Sequence, residues 1–91
     1  MEIVKISPCS ASLIIQYGIK NWPVWECEPS QFEWEYCEKE ICLILEGEAI
    51  IKTQIDEIIY IKSGDLVTFP KGLSCTWTIQ KAIKKHYRLG E

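Results

Sequence analysis

Histidine is nearly missing from this chain: among 91 residues only His86 carries an imidazole, so a metal centre assembled from several histidines is excluded. A basic excess is also missing. The net charge of −3 and pI near 5.2 give a nucleic-acid backbone no positive face to bind, and Lys81 to His86 is too short a run to reverse that. No apolar stretch approaches the roughly 20 residues of a membrane span, and Met1 to Lys5 lacks the charged-then-apolar order of a signal peptide. A cytoplasmic protein that contacts neither membrane nor nucleic acid is therefore expected. The five cysteines (Cys9, Cys27, Cys37, Cys42, Cys75) form an odd set with no Cys-x-x-Cys pair, which argues against a disulfide framework and a structural zinc site. Long helix-period segments, internal repeats and low-complexity linkers are lacking too.

What remains is rich in apolar and aromatic side chains. The apolar share is 47%, with four Trp, four Tyr and two Phe, which is enough for one compact core in a chain near the lower size limit for such cores. Short β-branched and aromatic runs alternate with turn signals every eight to twelve residues, the pattern of a barrel or sandwich. Strands are predicted over 3–6, 31–36, 41–45, 49–53, 58–61, 66–69, 75–79 and 86–89, with a hairpin around Gln54 to Glu57. Ser10 to Tyr17 reads as a short helical turn capped by Ser10 or Ser12 and ended by Gly18. Residues 27–30 read as a connector, Lys81 to His86 as a solvated strand or turn, and Gly47, Gly64 and Gly72 as turn positions.

The stretch Gly64-Asp65-Leu66-Val67-Thr68-Phe69-Pro70-Lys71-Gly72-Leu73-Ser74-Cys75 reads as turn, buried strand and rigid turn. It resembles the second motif of the cupin superfamily, in which the last position is a metal-binding histidine. The first cupin motif holds two histidines, a glutamate and a glycine; here Glu40 and Gly47 fit and neither histidine is present. With Trp22-Pro23-x-Trp25, Phe32-x-Trp34-x-Tyr36 and Lys85-His86-Tyr87, the chain resembles small single-domain cupins of the ureidoglycine aminohydrolase cupin-domain group. The resemblance implies an all-β, RmlC-like jelly-roll barrel with a central pocket. It also implies one domain over 1–91, with 1–21 as N-terminal strand and connector and 22–91 as barrel core. It does not imply the manganese-dependent reaction of ureidoglycine aminohydrolase, which resembles two such domains joined.

Two strand registers are open for the residues that face the pocket. If three residues precede Glu40, the missing histidine positions fall on Trp34 and Tyr36; if four do, on Glu33 and Glu35. The apolar parity of Phe32, Trp34 and Tyr36 favours the first, because two buried carboxylates beside Glu40 need a cation. The expected ligand site is therefore Trp34, Tyr36, Glu40, Cys42, Cys75, Trp77 and Lys85, with His86 facing outward on the opposite parity. A Glu40–Lys85 pair is expected at the surface or barrel mouth in preference to a buried one. Cys75 reads as a small buried hydrophobe rather than a nucleophile, since no base beside it is legible.

The function expected from these residues is binding of a small organic ligand in an aromatic and acidic pocket, without a cofactor or metal. One alternative is a metal-dependent enzyme using Glu40, Cys75 and either Glu33 and Glu35 or Tyr36. Another is a non-catalytic oligomerising module presenting Trp22 and Trp25. Homodimerisation is expected, with a monomer as the alternative.

Overall fold

The computed structural model describes residues 2–90. Its strands are β1 (Val4–Ile6), β2 (Val24–Cys27), β3 (Ser30–Glu35), β4 (Glu40–Thr53), β5 (Ile58–Lys62), β6 (Leu66–Phe69) and β7 (Ser74–Leu89). One short helix, α1 (Ala11–Gln16), and a 3-10 turn over Ile19–Asn21 precede β2. All strand pairs are antiparallel, and the sheet forms the expected single-domain jelly-roll barrel around two long strands, β4 and β7, which pair along almost their whole length. Shorter strands flank them. β6 and β5 lie along the first and second halves of β4, β3 and β2 along the first and second halves of β7, and β1 closes on β6.

Four expectations change here. The segment 41–53 lies within one 14-residue strand, Glu40–Thr53, and is not two strands separated by a turn at Gly47. Gly47 sits at φ +100 in a bulged stretch of the β4–β7 ladder, and a Cβ there would lie 2.2 Å from the Ala82 carbonyl oxygen. Only glycine lets the two backbones approach that closely. The irregular register also switches parity: Glu40, Cys42 and Ile44 face the interior before it, Ala49, Ile51 and Thr53 after it. Similarly, Lys81 to His86 is strand rather than turn, part of the 16-residue β7: the inward parity of Cys75, Trp77 and Ile79 breaks at the exposed Gln80 to Ala82 and resumes at Ile83 and Lys85. The strand β2, which includes Cys27 of the expected connector, was hidden by the flanking prolines Pro23 and Pro29.

Two packed clusters hold the barrel. The interior cluster includes Tyr36, Cys42, Ile51, Val67, Phe69, Cys75, Trp77 and Ile83. A second, on the outer face of β4 and β6, joins Leu43 and Leu66 to Ile19, with Leu13, Ile14 and Trp22 packed against it. The helical segment thus covers the outside of β4, so Ile41 to Leu45 is apolar on both faces. Ser10 caps α1 as expected, its hydroxyl accepting from the Leu13 amide at 3.2 Å. Among the described residues no helix is long and apolar enough to cross a membrane.

Candidate functional site

An open, mostly aromatic cavity of about 250 Å³ that holds a buried ion pair lies between β2, β3, β7 and the start of β4. Its position follows from strand pairing. Trp25 of β2 stands opposite Lys85 of β7, Phe32 of β3 opposite Trp77, and Glu40 of β4 opposite Leu89, so that these side chains share one face of the sheet. Trp34, Tyr36 and Tyr87 complete the lining. Tyr36 is fixed from behind: its amide donates to the Leu73 carbonyl at 2.8 Å, and its carbonyl accepts from the Gly72 amide at 2.7 Å. The Pro70–Gly72 turn therefore anchors a cavity residue.

At the cavity's inner end, Lys85 Nζ lies 2.8 Å from Glu40 Oε2, and the Tyr36 hydroxyl donates to Glu40 Oε1 at 2.8 Å. The ion pair is buried, with 7% and 6% of the two side chains exposed, which corrects the expectation of a surface or mouth salt bridge. Sequence spacing carries no depth information, and the depth comes from the rings above: the ammonium sits 4.8 Å from the ring centroids of both Trp25 and Trp77. Trp77 is nearly parallel to Phe32 (6°), and Tyr36 stacks on Phe69 at 4.9 Å. Burial, followed by the adjacent Glu40 carboxylate, holds the Tyr36 phenol far above its ordinary ionisation range, so it acts as a donor and not as a phenolate.

Five of the expected residues, Trp34, Tyr36, Glu40, Trp77 and Lys85, line this one cavity. The other two do not. Cys42 is packed wholly inside the core, and burial pushes its thiol up to about 12, outweighing the lowering pull of Lys85, to which the Glu40 carboxylate adds a smaller upward push. Cys75 is buried and borders a shallow surface depression beside Thr53 and Ser74 instead. Desolvation first, then Glu40, pushes its thiol up to about 11, against a smaller opposing effect of Lys85, so it is a protonated, weakly nucleophilic group. Trp34 lines the mouth with 53% of its surface exposed, while Glu33 and Glu35 are exposed on the other face of β3. His86 faces away, its Nδ1 3.0 Å from the Trp22 carbonyl oxygen to which it donates. Sequence reading left Trp25, Phe32, Tyr87 and Leu89 out of the site. The signal for the last two was present in their parity with Lys85, and for Trp25 in the alternation of Val24 to Cys27.

A metal of the cupin kind does not fit these residues. Glu40 is the one carboxylate in the cavity, both its oxygens are already hydrogen-bonded, and a lysine ammonium stands where a divalent ion would approach it. Among the described residues no three of His, Cys, Asp and Glu converge on one point.

A comparison with curated proteins finds no match. A DUF861 family protein from Thermotoga maritima is 39% identical, covers 97% of this chain and 99% of its own, and superposes with a TM-score of 0.93. A putative ethanolamine utilization protein Q from Salmonella typhimurium is 25% identical with a TM-score of 0.67, over 74% of this chain and 54% of its own. An RmlC-like cupin from Shewanella frigidimarina, 11% identical with a TM-score of 0.56, covers 76% of this chain and 67% of its own and shares the fold alone. The family profile of the EutQ-like cupin domain matches residues 16–87, and the chain belongs to that family of the cupin superfamily.

Proposed function

We propose that the protein binds a small organic molecule in the cavity between β2, β3 and β7, with Lys85, Glu40 and Tyr36 meeting its polar atoms and Trp25, Trp34 and Trp77 its apolar surface. One observation carries this reading: a desolvated ion pair lies at the inner end of an open, aromatic-walled cavity. Stability does not require such a pair, since well-packed apolar residues of similar volume commonly do as well or better. Convergent polar groups in a mostly apolar concavity are the usual composition of a ligand site. The narrower kinship with the ureidoglycine aminohydrolase cupin group is carried by the motif residues alone, and the site's lysine in place of a metal supports binding of a ligand rather than that enzyme's reaction.

Ligand-observed NMR with a library of single-ring compounds tests the proposal. Bound compounds are expected to lose their signal changes in the Trp25→Ala and Lys85→Met variants. Compounds that bind wild type and both variants alike place the site elsewhere and reject the proposal.

A further inference from the structure

The inner end of the cavity is electrically closed. Glu40 and Lys85 cancel each other, Tyr36 is a neutral donor, and no buried side-chain nitrogen or oxygen among the described residues lacks a partner. A ligand with a net charge entering here leaves water for aromatic walls and finds no unspent counter-charge, which is costly. Yet hydrogen-bonding capacity is left over. The ammonium has three N–H groups and spends one on Glu40; the carboxylate has about four lone-pair sites and accepts two bonds. A spare donor and a spare acceptor therefore sit side by side on atoms 2.8 Å apart.

We infer, resting on the ligand-binding reading above, that the site selects a neutral, flat, single-ring molecule carrying an amide N–H next to its carbonyl: an aromatic carboxamide or lactam. The carbonyl accepts from Lys85 and the N–H donates to Glu40, and neither exchange changes the charge of the site. The ring lies against the nearly parallel faces of Phe32 and Trp77. A cavity of about 250 Å³ is smaller than the usual range for drug-sized ligands, which limits the occupant to one ring with its substituent.

Three isosteric probes separate the possibilities: benzamide, benzoate and protonated benzylamine, titrated at pH 7 into wild-type protein while the Trp25 and Trp77 indole signals are followed by 15N NMR. Benzamide is expected to bind about ten-fold or more tightly than either charged probe. Glu40→Gln leaves Lys85 uncompensated and is expected to shift the preference to benzoate; Lys85→Met leaves Glu40 and is expected to shift it to benzylammonium. A charged probe that binds wild type as tightly as benzamide overturns the carboxamide assignment while leaving ligand binding intact. Indole signals that stay still with all three probes overturn both. The wild-type ranking decides the matter even if a variant fails to fold.

Discussion

Lys85 Nζ and Glu40 Oε2 meet at 2.8 Å across 45 residues of sequence, joining the last strand of the barrel to the first residue of β4 beneath two tryptophan rings. The pair is a positioned part of the cavity as well as a link between strands. Because both groups are desolvated, each needs the other: removing one strands a buried charge.

Lys85→Met is accordingly expected to cost about 3–5 kcal/mol in urea unfolding, the usual penalty for breaking one side of a buried pair. The double variant Lys85→Met, Glu40→Leu is expected to recover most of that loss, since it buries no charge. A double-mutant cycle measures both. A double variant no more stable than Lys85→Met alone removes the claim that the cost lies in the orphaned carboxylate.

Cys42 and Cys75 hold their thiols protonated at neutral pH, whereas Cys37 is exposed. At pH 8 a disulfide reagent is expected to modify Cys37 first and to reach Cys42 and Cys75 only as the protein unfolds. In pH terms, the Cys75 thiol ionises near 9.0 in an ordinary environment and near 11 in the fold. The folded state then keeps protons that the unfolded state releases, so stability is full below pH 9 and falls as pH rises toward 11. Urea midpoints at pH 8 and pH 10.5 check the sign, and a Cys42→Ala, Cys75→Ala variant is expected to show a shallower fall.

Much of the barrel and five of the cavity residues were legible because strand alternation is a local signal. Tyr36, Trp77 and Lys85 each announce their face through neighbours two positions away. What was not legible depends on contacts distant in sequence. Gly47 looks like a turn glycine until Ala82 is placed against it, and the Glu40–Lys85 pair looks superficial until Trp25 and Trp77 are placed over it. The same blindness put Cys42 and Cys75 in the cavity: parity identifies an inward side chain but not whether it borders open space or packed core.

Gly47→Ala tests the close crossing of β4 and β7. A Cβ 2.2 Å from a backbone oxygen cannot be relieved by a side-chain rotation, and the left-handed φ of +100 adds strain. A loss of about 3 kcal/mol is expected, larger than at an open glycine such as Gly64, where the nearest atom is 4.0 Å away. Equal losses at the two positions point to backbone strain alone and remove the crossing from the explanation.

Asp65 ties the N-terminal segment to the β5–β6 turn, and this tie is pH-dependent. Its carboxylate is wholly buried and accepts from the Ser7 hydroxyl, the Lys62 amide at 3.0 Å and the Lys62 ammonium at 3.3 Å. Burial alone raises its pKa, but these hydrogen bonds and the lysine charge together outweigh burial and hold it below the ordinary carboxylate value of 3.8. A carboxylate that is more acidic folded than unfolded contributes stability fully above the unfolded value and loses it as pH falls through the folded one. Asp65→Ala is therefore expected to cost about 2 kcal/mol at pH 7, where it leaves the Lys62 amide and Ser7 hydroxyl without their acceptor. The difference from wild type is expected to shrink at pH 3, below the ordinary carboxylate value of 3.8, because the unfolded wild type there takes up a proton that the folded carboxylate resists. A difference that stays constant from pH 7 to pH 3 means that the residue acts through packing, and its charged hydrogen bonds then contribute nothing to the tie.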